Sequence, residues 1–475
     1  MSLSIPGLSD DDAELFFELK RNLERLHPRN DDLSKYYEAE NAAHSMGIMI
    51  PPEFSSLKHV LQWPADAVDK VVERLGFDGF VAPGSSEMNA DLLNVFADNG
   101  MELQQTLANT EAGIAGVAFV LTTTDSEQDS GVSIQTYASH EATGRWNHRI
   151  KALDAGLVVE DSGLYGISGS WWLYLPEKTV HVEASGGAYT AVEQMRNPTG
   201  RVMLRPLPFS PRTGKPLGRS LITKPIRSYT AQAVRVSLRA EVQGELFTVP
   251  GRAVIGADDD AFIDPETGQQ MSAWDARIGT VLLLGLNQDT LEKPEIKEFQ
   301  QASMQPHMEH MRMLAALFTD ASGVHTSLAS AGVDNPESAD AKRESRSVLV
   351  SKVEGLQRST TRPWSLVAAD VLTLLNGGVV PESARGLMPK WWDASAPTKA
   401  AQAADVKDLV EAGVLPATSE VTLELLGFDS TTIQRLKADH QASQSQALLT
   451  AIAQARGSQA PVETPVNVTV PDVDA

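Results

Sequence analysis

Apolar residues recur at helical spacing through the first hundred residues of the chain. The segment that begins at Asp10 is acidic, and such residues suit a helix N-terminus because they oppose its positive dipole. One helical face then collects Leu15, Phe16, Leu19, Leu23 and Leu26. The same periodicity predicts further helices at 57–61, 65–75 and 89–116.

Between Val117 and about Leu207 the apolar period shortens to that of a β-strand. Alternating and β-branched stretches are separated there by Gly, Ser, Asn and Asp. This pattern predicts an antiparallel, β-rich lobe. We interpret Trp171 and Trp172 within it as core and edge packing, because tryptophan usually acts through its buried area.

A helix is predicted from about Ser220 to Leu246, with two apolar stripes instead of one. A helix that is apolar on two sides needs neighbours on both. A short strand and a turn-rich loop follow, and the fully apolar run Gly279–Leu286 is a candidate second strand. Together these segments predict a small β-hairpin.

A second helix is predicted to begin after Pro294. Its apolar stripe consists of Ile296, Met304, Met308, Met311, Leu314 and Leu317. Methionine adapts its shape to irregular surfaces, so the stripe favours packing against a partner helix over a cofactor site. A loop rich in Ser, Ala and Gly leads to a long helix at 339–375, in which Pro363 is expected to cause a kink.

From Pro381 onwards the chain has shorter helical segments. They are predicted at 400–412, 418–426 and 431–455. The last stretch, 456–475, has three prolines and little apolar surface to bury, which is typical of a disordered terminus.

Composition limits the classes of protein that remain. A chain of 475 residues with 42% hydrophobic and 21% charged residues is globular and large enough for about three structural regions. The absence of cysteine excludes disulfides, thiolate catalysis and Cys-based zinc sites. The sequence has neither a signal peptide at its start nor an apolar run of about 20 residues, so we expect synthesis in the cytosol and no membrane association.

The charge is unevenly distributed. The formal net charge is −22, which argues against a conventional nucleic-acid binder. Between Met195 and Arg252, however, eleven basic residues outnumber two acidic ones, for a local net charge of +9. This stretch is either a site for a polyanion or acidic partner, or a solvated helix face beside an acidic neighbouring subunit.

No motif for catalysis or cofactor binding stands out. The segment SPRTGKPLG lacks the leading glycine of a phosphate-binding loop and has Pro216 after its lysine. The pair His307 and His310 lies on one helical face beside Glu309, but two ligands without a third favour an ordinary surface pair. We therefore expect no catalytic residue, no metal site, no cofactor and no enzymatic activity.

Three stretches of the sequence, taken as a set, resemble the portal proteins of tailed bacteriophages. They are similar to the G-R-S-x-I-T-x-P, Q-x-S-M-Q-P-H and D-N-P-x-S-A-x-A motifs of the siphophage branch from actinobacteria. They begin at Gly218, Gln301 and Asp334. The order of elements from about Glu14 to Leu436 also matches that family. It is a β-rich lobe, a helix, a small β insertion, a returning helix and a long helix.

The resemblance implies an α+β portal fold with named regions. Residues 1–217 would form a wing, 218–246 and 295–319 the two helices of a stem, and 247–294 a small β clip between them. The remaining regions would be a tunnel loop at 320–339, a long kinked wing helix at 340–380, a helical crown at 381–455 and a disordered tail at 456–475.

The resemblance also implies roles for particular residues. In the tunnel loop, DNA contacts would fall to His325, Ser327, Ser330, Lys342 and Arg343. Packing within the stem and between subunits would involve Ile226, Tyr229, Val234, Leu238, Met304, Met308 and Met311. The clip would present Arg252, Asp264, Glu266 and Trp274 to partners.

Portal proteins form a ring, commonly of twelve subunits, at one capsid vertex of the virion, and double-stranded DNA passes through it. The implied partners are further copies of the chain, DNA, the large terminase, the head–tail adaptor, the major capsid protein and the scaffold. With helices about 10 Å wide, a ring of about twelve leaves roughly 28 Å clear at its centre, which is enough for a DNA duplex.

Two other functions remain open from the sequence. One is a different phage structural or scaffold protein with similar helices. The other, less favoured, is a phage head nuclease or protease fused to a structural part.

Overall fold

The computed structural model describes most of the chain between residues 4 and 439. The described ranges are 4–40, 59–84, 88–161, 168–247, 252–256, 263, 268–269, 293, 295–298, 303–325, 339–395, 406–428 and 432–439. The chain divides into two compact units, Met1–Ser395 and Ala396–Ala475. Among the helices made of described residues, none combines the length and the apolar character that a membrane crossing requires.

The first unit combines helices with antiparallel sheets, which confirms the α+β class. Its helices are α1 (Asp10–Tyr37), α2 (Trp63–Val72), α3 (Ala90–Asp98), α4 (Met101–Ala115), α5 (Lys224–Phe247), α6 (Gln305–Ser322) and α7 (Ala339–Leu375). Its strands are β1 (Phe77–Val81), β2 (Val117–Thr124), β3 (Val132–Tyr137), β4 (Ala142–Asn147), β5 (Ala152–Asp161), β6 (Gly169–Tyr174), β7 (Lys178–Ser185), β8 (Ala188–Arg196), β9 (Leu204–Pro208), β10 (Arg252–Ile255), β11 (Glu295–Glu298) and β12 (Met388–Trp391).

Strands β2 to β9 form the predicted β-rich lobe as two antiparallel sheets. Their strand orders are β3-β2-β9 and β4-β5-β6-β7-β8. Phe119 and Leu121 of the smaller sheet share an apolar core with Leu153 and Val158 of the larger one. Because side chains alternate along a strand, this shared core accounts for the alternating pattern in the sequence.

Helix α1 covers the larger sheet with the apolar stripe that the sequence predicts. Its first turn is capped by Ser9, whose hydroxyl oxygen accepts from the Asp12 N–H at 3.2 Å. Phe16 is fully buried and meets the Trp171 ring edge-on, with 5.9 Å between ring centroids. The neighbouring Trp172 is half-buried and stacks on His181, so core packing and edge packing are both confirmed.

The long helix α7 has the predicted bounds and runs through the main core. Trp364, directly after Pro363, is 0% exposed and packs against Phe77 of β1 with 5.2 Å between ring centroids. Strand β1 pairs with β12, where Phe77 lies opposite Trp391. The beginning and the end of the first unit therefore meet at this helix.

Two helix predictions near the beginning of the chain are wrong. The described residues 59–61 are not helical. The single helix expected at 89–116 is interrupted at Gly100, which has a φ of 57°. The preceding Asn99 stabilises the break, because its side-chain oxygen accepts from the Ile134 N–H at 2.7 Å and its amide donates to the carbonyl oxygens of Val95 at 2.8 Å and Val132 at 2.9 Å. These bonds to the neighbouring strand hold α3 and α4 apart.

The predicted start of the second stem helix is also wrong. Ile296 was expected in a helix that begins after Pro294, but it lies in strand β11, opposite Val254 of β10. Pairing with a neighbouring strand outweighs the local helical pattern there, and the helix begins at Gln305.

The second unit contains three short described helices, α8 (406–411), α9 (Glu420–Leu425) and α10 (432–439). Each lies within one of the helical ranges predicted after Pro381. Val406 and Ile433 are buried. Residues 381–395 belong to the first unit instead, through β12. The candidate strand at 279–286 and the tail at 456–475 lie outside the described residues.

Candidate functional site

The candidate site is the pair of helices α5 and α6 with the segments at their ends. The segment before α5 is held by close backbone contacts. Gly218 has a φ of 80°, and a Cβ there would lie 2.5 Å from the Phe209 carbonyl oxygen. Arg219 N donates to the same oxygen at 2.8 Å, and Ser220 Oγ accepts from the Ile222 N–H at 2.9 Å. This packing explains why a glycine and a serine begin the first motif, and why the helix starts at 224 instead of 220.

A proline lies in the first turn of each helix of the pair. Pro225 is the second residue of α5 and Pro306 the second of α6. Proline fits there because first-turn amides have no partner within the helix. Ser303 Oγ accepts from the Gln305 N–H at 3.2 Å just before α6. The first two motifs of the sequence therefore set where the two helices begin.

One glutamine fixes the two helices in register. Gln243, near the end of α5, donates to the Ser303 carbonyl oxygen at 3.0 Å and accepts from His307 Nε2 at 2.5 Å. Because the end of α5 meets the beginning of α6, the helices run antiparallel. His307, considered in the sequence as half of a histidine pair, is thus engaged in helix packing.

The inner faces of both helices join the main apolar core. On α5 these residues include Ile226, Ala233 and Val236, and on α6 they include Leu314, Ala315 and Phe318. The Phe318 ring packs against Trp63 of α2, with 5.0 Å between centroids. The pair is also tied to α1, because Arg227 Nη1 lies 2.8 Å from Asp32 Oδ2.

The residues expected in stem packing differ in exposure. Ile226, Val234 and Leu238 are buried within the chain itself, and Tyr229 and Met311 are partly buried. Met304 and Met308 are exposed, with 40% and 48% of their surface accessible. Met304 and Met308 have the most surface left for a neighbouring subunit, and the role of these residues in packing between subunits stays a prediction.

The far end of α6 is anchored to the long helix. Lys352 of α7 donates to the Ser322 carbonyl oxygen at 2.7 Å, where a lysine complements the negative end of the helix dipole. Burial, together with nearby Arg219, lowers the pKa of Lys352 to about 8. Gly323 ends α6 with a φ of 71°. The beginning of the predicted tunnel loop is therefore fixed in place.

The residues expected to contact DNA are only partly described. His325 is exposed just beyond α6. Lys342 and Arg343 lie in the first turns of α7, but their side chains are outside the described part. Ser327 and Ser330 also lie outside the described residues. Their roles stay predictions.

A two-stranded sheet lies at the ends of the predicted clip, with β10 inside its bounds and β11 in the range 295–319 predicted as the second stem helix. Strand β10 pairs with β11 in antiparallel register, with Arg252 opposite Glu298 and Ile255 opposite Glu295. Asp264, Glu266 and Trp274, expected to face partners, lie outside the described residues.

Sequence reasoning missed a buried ion pair that joins the β-rich lobe to α7. Asp370 is 0% exposed and accepts two hydrogen bonds from Arg205, at 2.6 and 3.0 Å. Arg201 Nη2 lies 3.1 Å from the same carboxylate. Burial raises the pKa of Asp370, although both arginines act to lower it. Arg205 counts toward the +9 stretch, but its charge serves the fold.

The described part of the chain thus has an α+β fold in which an antiparallel helix pair packs its inner faces on the main core. Two viral proteins are similar to this chain over most of its length. This chain is 26% identical over 416 residues to the portal protein of Mycobacterium phage L5, and the match covers 85% of this chain and 83% of that protein. It is 27% identical over 383 residues to the portal protein of Mycobacterium phage D29, and that match covers 78% of this chain and 76% of that protein. The resemblance to the portal proteins of tailed phages is confirmed.

No protein-family profile matches the chain. Among solved structures, the neck of an empty gene transfer agent particle covers 82% of this chain at 15% identity and a TM-score of 0.40. An HK97-family phage portal protein from Corynebacterium diphtheriae covers 70% at 13% identity and a TM-score of 0.29. These overlaps are too loose to carry an argument about the fold.

Proposed function

We propose that this protein is the portal vertex subunit of a tailed phage. It is a structural protein that forms a ring channel in the virion, and DNA enters and leaves the capsid through this ring. The observation that carries the proposal is the similarity to two portal proteins over most of the length of all three chains.

The helix pair supports the proposal physically. The inner faces of α5 and α6 are covered by the chain's own core, whereas Met304, Met308, Met313 and Leu317 of α6 remain exposed. Isolated apolar side chains are normal on a protein surface. Met313 and Leu317, however, lie one turn apart on the side of α6 that faces away from the core, and adjacent exposed apolar side chains favour an interaction surface. A neighbouring subunit of a ring would cover these two residues.

The charge of the chain suits a conduit for DNA. A net charge of −22 keeps a polyanion from binding tightly, so that DNA can slide. The residues after α6, beginning with His325, would face the channel. The region between β10 and β11, which includes Asp264, Glu266 and Trp274, would engage the terminase and later the head–tail adaptor. The outer parts of the ring would meet the major capsid protein and the scaffold.

The test is electron microscopy of the purified protein. We expect closed rings, commonly of twelve subunits, with an open centre. A protein that stays monomeric at every concentration tried would overturn the proposal. A different phage scaffold protein would instead give shells or filaments without a central channel.

The partner contacts have a separate test. Trp274→Ala combined with Glu266→Lys is expected to leave the rings intact but to weaken co-sedimentation with purified terminase or adaptor at least tenfold. Arg149→Glu, an exposed change in the β-rich lobe, is the matched control. If the clip variant and the Arg149→Glu control lost binding equally, the clip would not be the partner-binding region, but the proposal that the chain forms a ring would stand.

A further inference from the structure

The exposed face of α5 is basic. Lys224, Ser228, Arg235 and Arg239 are separated by steps of four or seven residues, which places them on one side of the helix. Lys224, Ser228 and Arg239 are exposed, and Arg235 is half-buried. Glu241 lies away from these residues, against His59. We refer to these four residues as the basic face.

The exposed face of α6 is acidic at its ends and apolar in its middle. Glu309, Met313, Leu317 and Asp320 follow one another at steps of four, four and three residues. Met313 is 53% exposed and Leu317 is 39% exposed. We refer to these four residues as the acidic–apolar face.

The charges of both faces are available for a partner. Within the part of the chain that the structure describes, Lys224, Arg235, Arg239 and Asp320 form no ion pair. Glu309 accepts one hydrogen bond, from Gln305 one turn earlier, at 3.0 Å. Among the described residues, three cations on one helix and two carboxylates on the other therefore have no countercharge.

The register of the pair places these opposite charges at matching heights. Gln243 contacts both Ser303 and His307, so it lies level with the residue midway between them, Gln305. Arg239 precedes Gln243 by four residues on α5, and Glu309 follows Gln305 by four residues on α6. Because the helices are antiparallel, both steps move the same distance in the same direction. Arg239 and Glu309 are therefore level.

The same comparison can be made at the other end of the pair. Asp320 lies four residues, about 6 Å, from the level of Lys224, a gap that a flexible lysine side chain can span. In a ring whose axis is parallel to these helices, equivalent residues of neighbouring copies lie at the same height along the axis. Arg239 of one copy would thus meet Glu309 of the next copy and Lys224 would meet Asp320, whereas Arg235 would lie level with Met313.

We propose that the basic face of α5 docks on the acidic–apolar face of α6 in a second copy of this chain. The inference rests on the proposed function, because it assigns the surfaces through which the ring closes. The two faces differ, so the contact is head-to-tail, which is the kind that generates rings. Burial of Met313 and Leu317 supplies most of the affinity. The charges contribute less energy at the surface and set the partner and the register.

Charge reversal tests the proposal with two variants. Arg235→Glu with Arg239→Glu makes both faces acidic, and Glu309→Lys with Asp320→Lys makes both basic. We expect each variant alone to lose at least tenfold in ring fraction by analytical ultracentrifugation and electron microscopy. An equal mixture of the two is expected to form rings again, with alternating subunits and therefore an even number. The matched controls Arg149→Glu and Asp98→Lys reverse exposed charges elsewhere and should leave the rings unchanged.

The outcomes separate this proposal from the proposed function. Rings of wild-type abundance from both variants would remove the interface but leave the portal assignment standing. Folded variants that fail alone and also fail when mixed would overturn the proposal as well. A basic-face variant that keeps its rings but loses binding to a DNA duplex would show that the basic face lines the channel instead. Failure of the wild-type chain to form rings would overturn the proposed function itself.

Discussion

The β-rich lobe and the helix pair treat their charged and apolar groups in opposite ways. In the lobe, Arg205 is buried and meets its countercharge, Asp370, inside the same chain. On the helix pair, Arg239 and Asp320 carry charges without partners among the described residues, and Met313 is exposed between them along the pair. The lobe thus neutralises its buried charge within the chain, whereas the helix pair has charged and apolar groups that the described residues do not cover.

This difference separates stability from assembly. A substitution in the lobe or on an inner helix face should destabilise each subunit, because it removes contacts made within the chain. A substitution on an outer helix face should leave the subunit folded and affect only its neighbours. Four experiments test that division, beginning with the largest expected effect.

The two sides of α6 should respond differently to truncation. Phe318→Ala removes a ring that is 0% exposed and should lower the free energy of unfolding by about 3–5 kcal/mol. The adjacent Leu317→Ala, on the outer side, should cost under about 1 kcal/mol. Urea denaturation of dilute, dissociated subunits measures both, because assembly would otherwise add to stability. Equal losses would mean that both sides serve the subunit's own fold.

A buried and an exposed ion pair give the next contrast. Asp370→Asn leaves Arg205 buried without a charge partner and should cost about 3–5 kcal/mol. The control is Asp154→Asn, which removes a half-exposed partner of Arg145 at 2.8 Å and should cost under about 1 kcal/mol. Thermal or urea unfolding compares the two. A small loss for Asp370→Asn would show that water reaches the Arg205 guanidinium.

Lys352 gives a pH dependence of defined sign. Its pKa is about 8 in the folded chain against 10.5 for an ordinary lysine, so between these values the folded state has already lost a proton that the unfolded chain still carries. The stability contributed by this group therefore rises with pH across that window. The free energy of unfolding of wild type, measured relative to that of Lys352→Met, should increase by about 2 kcal/mol from pH 8 to pH 10.

The control for this measurement is Lys70→Met, an exposed change on α2 that should leave the slope over that pH range unchanged. A difference between wild type and Lys352→Met that is flat with pH would place the Lys352 ammonium in water.

The smallest effect is expected at the start of α1. Ser9→Ala removes the hydroxyl that accepts from the Asp12 N–H and should cost about 1 kcal/mol. Ser9→Asp keeps a capping oxygen and should retain most of that stability. Hydrogen exchange at the Asp12 amide reports the loss directly. Unchanged exchange in Ser9→Ala would mean that the acidic first turn alone holds the helix start.

Regular patterns made the larger elements predictable. The stripe from Leu15 to Leu26 on α1, the alternation through the β-rich lobe and the bounds of α7 each follow from a single repeating period. The start of α6 was misjudged because Ile296 has a strand partner, Val254, that lies far away in the sequence. Local pattern carries no information about such a partner.

The contacts that position the candidate site were also beyond sequence reasoning. Gln243 is one of many polar residues on a helix, and nothing in its neighbourhood indicates Ser303 and His307 as partners. Lys352 and Asp370 likewise depend on which helices and strands meet in space. The glycine and prolines of the motifs, in contrast, restrict the backbone locally, so the sequence alone correctly predicted a helix after each of the first two motifs.

The pairing of β1 with β12 sets an order of events for the growing chain. Phe77 finds its strand partner Trp391 only after the ribosome has added everything between them, which takes roughly 15–60 s at ordinary rates of synthesis. Until then Phe77 lacks this partner, so the main core closes late. A nascent subunit would therefore present its outer helix faces before its core is complete, and chaperones that shield it during that interval would decide how many subunits survive to assemble.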